Sequence, residues 1–140
     1  MDFYQLEQIY TDYDRALQQA HKKSSILSWI IGQGSAGDPR NDPCNREFYD
    51  KVGTWIHGFV SSSPEETEAV SICRFLMEAA VRREKAPTCW YTLVAQGYIK
   101  EVIPLLSPES RHTLAKEFNH LYPRRRRLPL QEDVYQLLAQ

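Results

Sequence analysis

Four consecutive arginines, Arg124 to Arg127, stand between Pro123 and Pro129. A guanidinium is always charged and presents a planar fork of donors that matches carboxylate or phosphate two bonds at a time, so this run is the densest candidate anion site in the chain. A second basic cluster, Arg82, Arg83 and Lys85, closes another segment that reads as helical. Two readings follow. If the clusters converge on one face with Tyr122 or Tyr91 beside them, the surface has the cations and stacking platforms that nucleic-acid binding uses. If they do not converge, the arginines are solvated cations near helix C-termini, each contributing only about 0.3–1 kcal/mol through the helix dipole. The candidate anion or partner contacts are therefore Arg82, Arg83, Arg124, Arg125, Arg126 and Arg127.

Other residues carry less chemistry. Glu117 and His120 have the i, i+3 spacing of bundle-core carboxylate metal sites, but those sites draw a second Glu-x-x-His and further glutamates from other helices, and the one other Glu-x-x-His, Glu109 to His112, lies in the same segment, so a shared metal site is not expected. Gly32-Gln33-Gly34-Ser35-Ala36-Gly37 spells a dinucleotide fingerprint. Asp38-Pro39 and Asp42-Pro43 follow at once, so no long helix can begin at the glycines to receive a pyrophosphate, and the stretch reads as a loop. Cys73 and Cys89 sit on apolar helical faces, where a thiol behaves as a small buried hydrophobe. No catalytic residue, cofactor site or metal ligand is assigned, and the balance leans against an enzyme.

The elements that must position these groups come from a chain of 140 residues, 42% hydrophobic and 25% charged, with a net charge of −1. That size suits one domain with one core, expected over residues 1–140 with a Gly/Pro-rich loop at 32–43. The halves differ in sign: residues 1–70 hold 6 Lys/Arg against 11 Asp/Glu, and residues 71–140 hold 11 against 7. The C-terminal half is the anion-facing one. Three cysteines without a C-x-x-C pair, and a start that lacks a basic flank and an apolar block, predict a cytoplasmic location with no membrane insertion.

Phe3, Leu6, Tyr10, Tyr13, Leu17, Ala20, Ser24, Leu27 and Ile31 alternate at steps of three and four, which predicts one helix of roughly 44 Å, packed within its own domain or paired between copies. Asp42-Pro43 predicts a second start, with Cys44, Phe48, Val52, Trp55 and Phe59 inward. Ser63-Pro64-Glu65-Glu66 has the pattern of a capping box, predicting a helix from there to about Lys85. Thr88 to Gln96 reads as helix closed by Gly97 in a left-handed conformation, followed by a short apolar helix to Pro104. Ser107-Pro108-Glu109 opens a helix to about Tyr122, and Pro129 begins the last.

No stretch alternates with period two, so the fold class is all-α, a bundle of about six helices. The alternative is a short helical array. The two Ser-Pro-Glu starts lie 44 residues apart, as do Gly53 and Gly97, and Tyr98 to Pro108 resembles the middle of an armadillo or HEAT repeat. The expected function is that of a non-enzymatic cytoplasmic interaction or regulatory protein, with a protein partner or self-association. A nucleic-acid regulator using the C-terminal arginines is the alternative, and a small-molecule-binding or catalytic protein with a pocket lined by Trp55, Trp90 and Tyr98 is the third.

Overall fold

A computed structural model describes residues 2–31, 43–82 and 97–140; at 17, 20–31, 44, 80 and 82 only the backbone is described. Every regular element among these residues is helical, which makes the fold all-α. Helix α1 is Phe3–Ile31, α2 is Pro43–Ser61 and α3 is Glu66–Arg82. The described part of α4 covers 97–102 and tightens into a 3-10 turn, Ile103–Leu105. Helix α5 is Pro108–Leu121, a second 3-10 turn is Arg124–Arg126, and α6 is Pro129–Ala139. No helix among the described residues is long and apolar enough to cross a membrane.

Contacts group the chain into two units, residues 2–53 and residues 54–140, with the division inside α2 at Gly53. In the first unit the three-four spacing of α1 buries Leu6, Tyr10 and Tyr13. Phe48 of α2 receives both tyrosine rings: Tyr13 stacks on it at 4.0 Å between centroids, and Tyr10 meets it edge-on at 4.9 Å. The Tyr13 hydroxyl donates to Asn45 Oδ1, which lets a buried amide and a buried phenol satisfy one another. The continuation of the α1 stripe, from Leu17 to Ile31, falls on side chains outside those described.

The second unit has the larger core. Trp55 and Phe59 stack at 5.3 Å in the last turns of α2. Ala69, Ile72, Cys73 and Leu76 give α3 a continuous buried face, Ile99, Val102 and Ile103 bury the short α4 segment, and Leu114, Phe118, Val134 and Leu138 fill the contact of α5 with α6. Fully burying side chains of this size is worth about 1.5–3 kcal/mol each before chain entropy is set against it.

Two expected helix boundaries differ from the structure. Ser63 is not the cap of α3: its φ is +53°, in the left-handed region, where it ends α2 in the place glycine usually takes. Its amide still reaches the Val60 carbonyl, at 3.4 Å. A residue turned that way cannot adopt the extended backbone of an N-cap, so α3 starts later, with Ala69 donating to the Glu65 carbonyl at 3.1 Å. Gly97 is not a left-handed terminator either; it is helical and has no positive φ. Of the positions 44 apart, Ser63 and Ser107 differ in conformation, left-handed against extended, while Gly53 and Gly97 are both helical and differ in burial, the first buried and the second exposed. The expected helix at 88–96 and the loop at 32–42 lie outside the described residues.

Candidate functional site

The arginine run joins α5 to α6, and its four side chains have two fates. Pro123 has φ −57° and ψ +143°, after which Arg124–Arg126 wind into a 3-10 turn closed by the Arg126 amide on the Pro123 carbonyl at 2.8 Å. All three of these arginines are exposed. Arg127 then turns extended, at φ −77° and ψ +135°, and sends its side chain inward until only 2% of it is exposed.

What holds Arg127 is a full set of partners for a planar cation. Its Nε donates to the Tyr122 carbonyl at 2.8 Å, which satisfies an acceptor at the end of α5. Its Nη1 donates to Glu132 Oε2 at 2.9 Å, and its Nη2 to Asn119 Oδ1. The guanidinium carbon lies 4.0 Å from the centre of the Tyr135 ring and 5.9 Å from that of Phe118. Stacking on aromatic faces suits arginine because its guanidinium is flat and weakly hydrated. Hydrogen bonding from Arg127 holds the Glu132 carboxyl below its ordinary range; Gln136 adds a bond, and the charges of Arg127 and Arg124 act in the same direction.

The same corner is closed from α6. Leu128 N donates to Gln131 Oε1 at 2.8 Å, so a buried glutamine caps the start of α6 where leucine has no acceptor to offer. Tyr122 is buried, and its hydroxyl donates to the Met77 carbonyl at 3.2 Å, which ties the residue before Pro123 to α3. That ring is therefore unavailable for stacking a base. Tyr91 and Arg83 lie outside the described residues, and Arg82 is described only as the last backbone position of α3, so the expected convergence of the two basic clusters also lies outside them.

Beside this corner α3 and α5 border an open cleft of about 410 Å³. Met77 and Leu121 supply its apolar surface; Arg74 and Glu78 line it from α3, and Lys116, Glu117 and His120 from α5. Arg74 grips Glu117 with two nitrogens, Nε at 3.0 Å from Oε2 and Nη2 at 2.9 Å from Oε1. This hydrogen bonding raises the already high pKa of Arg74 further. Both Glu117 oxygens are thus engaged by a cation from α3. Among the described residues no group of three or more His, Cys, Asp or Glu is placed to hold a metal ion. Cys73 is free and wholly buried, and burial pushes its thiol up to about 12, so it stays protonated and unreactive at neutral pH.

Two features of this region have no local signature. Arg127 meets Asn119, Glu132 and Tyr135 from the break between α5 and α6, where helical periodicity does not pair residues. Glu66 of α3 accepts from Ser107 N at 2.8 Å, 41 residues away, and thereby caps α5. The Arg-Pro punctuation locates the turn in the sequence, but not which of four identical side chains turns inward. No family model, no curated protein and no solved structure matches the chain, so its own geometry carries the functional reading.

Proposed function

We propose that the chain is a non-enzymatic interaction protein whose C-terminal unit receives an acidic segment of a protein partner on Arg124, Arg125 and Arg126. The observation that carries this is the division of labour in the run: one arginine is consumed in holding the corner, and three neighbours are left exposed on a turn fixed at both ends. A turn fixed beforehand loses little freedom on binding, so its guanidinium forks can engage carboxylates at low entropic cost. Cys73, a buried free thiol, fits the reducing cytoplasm that the unpatterned cysteines suggest.

An acidic protein is favoured over nucleic acid on two grounds. The chain has a net charge of −1 and a pI near 6.4, and Tyr122 is withdrawn from the surface, where it could have stacked on a base. A titration with a short peptide of consecutive glutamates, repeated with a mixed-sequence oligonucleotide, tests this. The peptide is expected to bind weakly, to lose affinity as salt rises, and to stop binding when Arg124, Arg125 and Arg126 are all replaced by glutamine. Tighter binding of the oligonucleotide with a steep salt dependence would move the reading to nucleic acid. The triple replacement should leave the melting temperature within a degree or so, because exposed charges contribute little to stability.

A further inference from the structure

The cleft between α3 and α5 and the arginine turn belong to one stretch of chain. Leu121 lines the cleft and Arg124 opens the turn, three residues later, a separation that even a fully extended chain limits to about 11 Å. The link between them does not swing freely. Tyr122 is buried and bonded to the Met77 carbonyl, Met77 itself lines the cleft, and Arg127 holds the Tyr122 carbonyl from the other side. An apolar depression and three exposed cations are thus set at a fixed, short spacing on the second unit.

The cleft has room for a bulky apolar side chain. Its 410 Å³ is near the low end of the roughly 300–1,000 Å³ of ligand clefts, and Met77 and Leu121 give it apolar surface between two charged edges. The charges on those edges nearly cancel, since Arg74 is engaged by Glu117 and Lys116 faces the same cleft as Glu78. The cleft therefore has little preference for net charge. The turn has a strong one, for anions.

We infer that the partner's acidic segment carries one bulky apolar side chain that enters the α3–α5 cleft while its carboxylates meet Arg124, Arg125 and Arg126. This deepens the function proposed above and rests on it. An extended segment advances about 3.3 Å per residue, so the anchor stands roughly three residues from the nearest acidic residue. The acidic residues supply orientation and encounter rate, and the buried anchor adds affinity and fixes the register.

The test uses the full chain and three synthetic peptides: consecutive glutamates alone, the same glutamates with a leucine three residues beyond them, and the same with the leucine eight residues beyond. The near leucine is expected to tighten binding roughly tenfold over glutamates alone, as burial of one such side chain allows, and the far leucine to add nothing. Leu121→Gln is expected to erase the leucine increment and to leave glutamate binding unchanged, with the melting curve as the check on folding. A near leucine that adds nothing, or near and far leucines that add equally, overturns the anchor while glutamate binding keeps the acidic-partner reading intact. Failure of all three peptides to bind overturns both.

Discussion

Ser63-Pro64-Glu65-Glu66 and Ser107-Pro108-Glu109-Ser110 carry the same helix-start signal and fold in opposite ways. Ser107 takes the extended backbone of a cap, at φ −68° and ψ +160°, and its hydroxyl accepts from Ser110 N at 3.2 Å. Ser63 follows α2 so closely that it is used to end that helix, and its left-handed backbone removes it from capping α3. Glu66, which should have completed the first box, instead reaches the second: its carboxylate accepts from Ser107 N. Hydrogen bonds from the Ser107 hydroxyl, then the Ser110 hydroxyl, then the Ser107 amide, hold its pKa down at about 2. A start signal is thus a local offer that the preceding element can refuse, and the unused half of one box can complete another.

Four substitutions break or sharpen this contrast. Ser107→Ala has the largest effect expected: the α5 cap is lost and stability falls by about 1 kcal/mol, read by denaturant unfolding, whereas Ser63→Ala changes it by no more than a few tenths. Next, Ser63→Gly is expected to stabilise by about 0.5–1 kcal/mol, because glycine enters the left-handed region without the penalty serine bears. A loss of stability there would mean that Ser63 does cap α3 in solution. The smallest effect is that of Glu66→Gln, and it appears as a pH dependence. The folded carboxyl titrates at about 2 instead of its ordinary 4.5, so its contribution is fully present above 4.5 and is lost as pH falls toward 2. The variant should therefore run below the parent at neutral pH and lose less stability between pH 4.5 and 2, since glutamine does not titrate.

The contrast also marks what a reader of the sequence can obtain. Proline places the starts of α2, α5 and α6 because the physics is local: Pro43, Pro108 and Pro129 each lack an amide proton and stand where the helix has no use for one. The buried faces follow from three-four spacing, as Leu6, Tyr10 and Tyr13 show. Legibility ends where partners are distant or identical. Glu66 and Ser107 are 41 residues apart, and Gln131 is buried by an amide contact that its type alone does not announce. Arg124 to Arg127 look alike on paper, yet the change to extended backbone after Arg126 turns the last one inward. Within the candidate site, the exposed turn was readable and its anchor was not.

That inward arginine changes how the run would be met by a protease that cuts after arginine. Such an enzyme must take the whole side chain into its specificity pocket before it can attack the next peptide bond. Arg124, Arg125 and Arg126 can be surrendered in that way, but Arg127 cannot leave Glu132, Asn119 and the Tyr135 ring without opening the corner between α5 and α6. In brief digestion of the folded chain the bond from Arg127 to Leu128 is expected to be spared while the bonds before it are cut. To the enzyme, four arginines in sequence count as three.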